Sequence, residues 1–211
     1  MARWPFRPPM TWAREIVARL LGLPVGWLID GPRVRGAEHL AELKRPFLVC
    51  PNHASHFDHP ALRLALGSRY RQRLAIAVAS DYFWRNRWRA FFAGWLAGFP
   101  FDREGRGGTE SLQTIERLLH EGWSVVIYPE GTRSRNGQIA QFRPGAAFVA
   151  ARTGCDILPV RIVGTRAVLP PGARWPHRGA VEVRFGAPLR PRPKEDARAL
   201  NARLEAAVRA L

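Results

Sequence analysis

Four short clusters hold residue types that can move a proton or grip an anion. The first is Asn52-His53-Ala54-Ser55-His56-Phe57-Asp58. A carboxylate on one imidazole nitrogen fixes the tautomer and strengthens the other nitrogen as a base. Deprotonating an alcohol at neutral pH requires such a base. His53 and Asp58 are five positions apart and do not share a face of one continuous helix, so a strand-to-helix turn must fold Asp58 back onto His53. The spacing alone is equally compatible with a structural pair at a loop-helix junction. A metal site is a third alternative, because His53, His56 and His59 crowd around Asp58. No matching Cys, His or carboxylate cluster appears elsewhere in the chain, and adjacent ligands alone rarely close a site.

The second cluster, Gly98-Phe99-Pro100-Phe101-Asp102-Arg103, ends in an arginine whose planar fork suits a phosphate. The third is Tyr128-Pro129-Glu130-Gly131-Thr132-Arg133-Ser134, a strand running into a turn with a carboxylate and a cation. Strand ends are where α/β folds place their sites. The fourth is an apolar strand containing a proline, Ile157-Leu158-Pro159-Val160-Arg161-Ile162.

Elements of both periods surround these clusters. Buried strands are expected at 47–50, 74–78, 123–128, 157–163 and 181–185, and helices at 58–66, 111–121, 144–152 and 195–211. Trp84, Trp88, Phe91, Phe92, Trp95 and Leu96 have helical spacing and suit either core packing or an interface. Alternating strands and helices predict an α/β fold: one domain over 31–211, with a central, mostly parallel sheet flanked by helices. Residues 1–30 form a separate amphipathic segment. Thr11 is the expected N-cap of its helix, and Trp12, Ile16 and Leu20 line one apolar face.

The formal net charge is +16, carried mostly by arginine, which points to an anionic partner. A nucleic-acid-binding protein is the competing class. However, arginine is spread along the whole chain and none of the common nucleic-acid modules is present, so no nucleic acid is expected. A serine hydrolase would need a Gly-x-Ser-x-Gly elbow, and a nucleotide-driven enzyme a P-loop; neither occurs. The two cysteines, Cys50 and Cys155, lie far apart in apolar runs and are expected as free thiols in a reducing compartment. The most apolar stretch, 16–29, is broken by Arg19 and Pro24, so the chain is expected to lie on an anionic membrane surface, at its cytoplasmic face, rather than to span it.

Taken in order, the four clusters resemble the glycerophospholipid acyltransferase family, whose pattern is Asn-His-x4-Asp, Gly-x-x-Phe-x-Arg, Phe-Pro-Glu-Gly-Thr-Arg and a proline-bearing apolar strand. The resemblance covers roughly residues 34 to 188. It implies that His53 is the catalytic base and Asp58 its partner. It assigns Arg103 to the acceptor's phosphate, and Glu130, Gly131, Thr132 and Arg133 to the acceptor pocket. Asn52 and Arg143 join them as substrate contacts, and Pro159 falls on the acyl-donor side. The implied reaction moves a fatty acyl group from acyl-CoA or acyl-carrier protein to the hydroxyl of a lysophospholipid, with no metal or redox cofactor. Lysophosphatidic acid is the expected acceptor, and another lysolipid such as a lyso-ornithine lipid the alternative. Two positions depart from the pattern: Tyr128 stands where Phe is commoner, and Arg143 where the family often has Lys.

Overall fold

The structure, a computed structural model, describes residues 6, 8–79, 97–102, 108–134, 136–170, 172–173 and 175–211. Seven strands form one sheet: β1 (Arg33–Arg35), β2 (Leu48–Pro51), β3 (Leu74–Ala79), β4 (Gly98–Phe101), β5 (Ser124–Val126), β6 (Ile157–Val163) and β7 (Glu182–Phe185). Their spatial order is β1-β7-β6-β2-β5-β3-β4. The strands from β6 to β4 are mutually parallel, while β7 and β1 run the other way. The helices are α1 (Pro8–Leu28), α2 (Asp58–Arg71), α3 (Gly108–His120), α4 (Gly145–Thr153), α5 (Thr165–Val168) and α6 (Ala197–Ala210).

Strand alternation divides the core between two faces. Leu48, Cys50, Val125 and Ile157 point to one side, where α3, α4 and α6 supply Ile115, Leu118, Ala147, Leu200 and Leu204. Phe47, Val49, Val126, Leu158 and Val160 point to the other, where α2 supplies Ala61, Leu62 and Leu66. Strands buried on both faces read as the continuous apolar runs seen in the sequence. From β2 the chain moves one way along the sheet through α2. It later crosses back from β5 to β6 through α4 on the opposite face. This reversal opens a crevice at the carboxyl ends of β2, β5 and β6, the place where open α/β sheets bind ligands.

Several expectations need correcting. Thr11 lies inside α1, because Pro8 and Pro9 already supply its first turn, where a missing N–H is tolerated. Glu195 lies outside α6, which begins after Asp196; the Asp196 carboxylate accepts from Arg198 N at 3.3 Å. Trp123 and Tyr128 flank β5 instead of belonging to it. The edge strands β1 and β4, the short helix α5 and a 3₁₀ turn at Ala37–Glu42 are not among the expected elements. The Trp84-to-Leu96 segment and Arg103 lie outside the described residues.

Candidate active site

The end of β2 turns directly into the loop 52–57 and then into α2, whose first residue is Asp58. The turn brings the two expected partners together: His53 Nδ1 lies 2.8 Å from Asp58 Oδ2. The same oxygen accepts from the backbone N–H of Ala54 at 2.7 Å and of Ser55 at 2.9 Å. Asp58 is wholly buried, and two backbone N–H groups donate to its Oδ2. With Nδ1 facing the Asp58 carboxyl, Nε2 is the His53 nitrogen left for a reacting group. Tyr128 stacks on the imidazole, with ring centroids 4.0 Å apart and planes at 25°. A face-on aromatic ring favours the cationic form of an imidazole.

Two of the residues assigned to substrate contact brace the backbone of the site. Glu130 Oε1 accepts from His53 N at 2.6 Å, and Oε2 from Ala140 N at 2.8 Å. Burial raises the Glu130 pKa, and the two backbone N–H groups oppose that shift. The Asn52 side chain is bonded at both ends to the main chain of β6: Ile162 N donates to Oδ1 at 2.7 Å, and Nδ2 donates to Ile162 O at 3.0 Å. Asn52 thus clamps the loop to β6.

Among the described residues, Gly131, Thr132 and Arg133 lie in the turn after β5, and Arg143 lies just before α4. Gly131 has φ 72°, and a Cβ there would approach Arg143 Nε to 3.0 Å, so glycine lets the Arg143 side chain lie across the turn. Arg143 and Thr132 are exposed, and Arg133 is partly buried. Burial, with the Arg133 cation next in weight, lowers the pKa of His56. His59 also stays neutral, its pKa pushed down to about 3 by burial first and then by Arg63 and His53. Among the described residues, no group of three or more His, Cys, Asp or Glu side chains is arranged to hold a metal. Cys50 is buried, Cys155 partly so, and both thiols are free. A groove of about 670 Å³, lined by Trp12, Glu15, Arg73 and Trp123, opens where β3 and β5 begin, at the end of the sheet away from His53.

Thr165 is the site residue that the sequence did not reveal. Its hydroxyl donates to Asp58 Oδ1 at 2.5 Å. The one local signal is the Gly164-Thr165 pair that follows the strand expected at 157–163.

A family model described as Acyltransferase matches residues 31–163, more than half of the chain. The chloroplastic 1-acyl-sn-glycerol-3-phosphate acyltransferase BAT2 of Brassica napus is 30% identical over 143 residues, covering 66% of this chain and 39% of that protein. The human 1-acyl-sn-glycerol-3-phosphate acyltransferase alpha is 32% identical over 149 residues, covering 68% of this chain and 50% of its own length. The chain thus spans half or less of these curated relatives. Among solved structures, the 1-acyl-sn-glycerophosphate (LPA) acyltransferase PlsC of Thermotoga maritima superposes with a TM-score of 0.73 at 25% identity, over 94% of this chain and 79% of that one. The sheet order, the His53–Asp58 pair at its carboxyl ends and the family match agree, and the chain belongs to the acyltransferase family.

Proposed function

We propose that this chain is an O-acyltransferase that moves a fatty acyl group from a thioester to the free hydroxyl of lysophosphatidic acid, giving phosphatidic acid for phospholipid synthesis. The observation that carries it is the 2.8 Å contact between His53 Nδ1 and Asp58 Oδ2 in the carboxyl-end crevice. The names of the relatives supply the substrate class. His53 Nε2 removes the acceptor's hydroxyl proton as that oxygen attacks the thioester carbonyl. The C–S bond then breaks, and the departing thiolate takes the proton from the imidazolium. Asp58 keeps the imidazole in the required tautomer and offsets its transient charge. The donor is acyl-CoA or acyl-carrier protein. Arg103 is the proposed phosphate anchor, with Arg133 and Arg143 as further cations at the rim.

The proposed location is the membrane surface. No helix among the described residues is long and apolar enough to cross a bilayer. Trp12, Ile16, Leu20 and Trp27 leave α1 at 60–75% exposure. A surface helix that turns large apolar side chains outward suits insertion among lipid headgroups.

Purified protein assayed with a panel of lysolipid acceptors and both donor types tests the proposal. His53→Ala is expected to lower turnover by about 10²–10⁴-fold while the protein stays folded. Near-normal turnover in the folded variant would rule out the mechanism. Turnover with a phosphate-free lysolipid alone would rule out lysophosphatidic acid and leave acyl transfer standing.

A further inference from the structure

Among the described residues, three groups fix the Asp58 Oδ2 atom and one holds Oδ1: the hydroxyl of Thr165, 107 residues further along the chain. Both ends of that bond are buried, Thr165 at 1% exposure and Asp58 at 0%. The segment after β6 is shaped to deliver it. Gly164 has φ 91°, and a side chain there would meet the Ala180 carbonyl oxygen, so the position accepts only glycine. The left-handed turn at Gly164 starts α5 with Thr165 as its first residue. The other end of α5 is tied to the same loop, because Ser55 Oγ donates to Leu169 O at 2.8 Å. Asn52 completes the attachment on Ile162. Residues 162–169 therefore hold the 52–58 loop at three points, and one of them is a direct bond to the carboxylate behind the base.

We infer, resting on the chemistry proposed for His53 and Asp58, that Thr165 is a positioning residue for acyl transfer. A carboxylate turns about its Cβ–Cγ bond, and that rotation decides which lone pair faces the imidazole. The Thr165 hydroxyl pins Oδ1 and so keeps Oδ2 on His53 Nδ1 through the proton transfer. Thr165 touches neither substrate nor reacting atoms; it acts through Asp58. A residue of this kind governs the chemical step and leaves substrate binding alone.

The test uses the full chain with steady-state kinetics for donor and acceptor. Thr165→Val keeps the shape and removes the hydroxyl. It is expected to lower kcat about 10- to 100-fold, the range for losing a hydrogen bond to a charged group, with both KM values within about twofold of the parent. Thr165→Ser restores the hydroxyl and is expected to recover most of kcat. In the Asp58→Asn background, Thr165→Val is expected to cause no further loss, since two residues acting as a unit are non-additive. Thermal unfolding accompanies each variant, and Thr165→Cys replaces valine if the valine protein does not fold. An unchanged kcat, a change confined to KM, or the same fold-loss in both backgrounds would overturn the inference. His53→Ala separates the two levels. If it abolishes turnover while Thr165→Val is fully active, only the role of Thr165 fails. If His53→Ala is active, the underlying chemistry fails.

Discussion

Glu130 illustrates how one side chain sets the geometry of its neighbours. Its two oxygens bridge His53 N and Ala140 N, so it couples the turn after β5 to the backbone of the base. Both partners are donors and both need an acceptor. Glu130→Gln keeps the shape but offers one acceptor and one N–H₂ group, which places a donor against a donor. The expected result is a loss of about 1–3 kcal/mol of stability, read by denaturant unfolding, together with reduced turnover. A Glu130→Gln protein with parental stability would show that the bridge is dispensable. The sequence made His53, Asp58 and Glu130 visible because each sits in a short contiguous motif. The backbone partners of Asn52 and Glu130 were not legible, because main-chain groups leave no trace in residue type. Thr165 stayed hidden for a related reason: its partner lies 107 positions away, and only the parallel pairing of β2 with β6 brings them together.

At the level of elements, helical and strand periodicity identified most of the sheet and both large helical layers. It failed at β1, three residues long with Arg33 and Arg35 both exposed, because so short a charged segment has no readable alternation. It also misplaced the start of α1. The apolar face of α1 was legible, and the structure leaves it open. Positions 12, 16, 20 and 27 fall in one stripe, and α1 packs its other side on α2, where Glu15 bonds Arg71 at 2.6 and 2.9 Å. Arg178 lies over the Trp27 ring at 4.6 Å, placing a cation beside the stripe. Trp12→Ser with Leu20→Ser is expected to weaken flotation on anionic vesicles about a hundredfold, since each apolar side chain contributes about 1.5 kcal/mol or more on burial. Neither substitution touches the Glu15–Arg71 contact, so folding is preserved. High salt weakens only the electrostatic share of binding. Unchanged flotation by the double variant would move the membrane contact away from α1.

Over the whole molecule, the charge balance and the buried titratable groups together set the response to acid. The chain already carries +16 at neutral pH, so every added proton increases self-repulsion in the compact state. The first groups to matter are histidines. His59 follows Asp58 on α2; both ring nitrogens are buried, and neither has a hydrogen-bond partner among the described residues. In the unfolded chain it takes a proton near pH 6.5, but in the folded protein only near 3. Between those values the unfolded state holds more protons, so stability is fully present above pH 6.5 and declines as the pH falls. The slope for one proton is about 1.4 kcal/mol per pH unit. His56 shifts in the same direction, but it is exposed at the surface, so solvent screens the effect and its share of the decline is small. Glu15 enters later. Its hydrogen bond to Arg71 lowers its pKa below 4.5, so its contribution is lost only as the pH falls below that value. Glu130, raised mainly by burial, works weakly the other way. The parent protein is therefore expected to lose stability from pH 6.5 downward, before most carboxylates titrate. His59→Leu replaces the ring with an apolar side chain that never needs a proton. Its midpoint in urea, measured from pH 7 to pH 4.5, is expected to fall clearly less steeply than that of the parent. Parallel curves for the two proteins would mean that acid unfolds this fold through other groups.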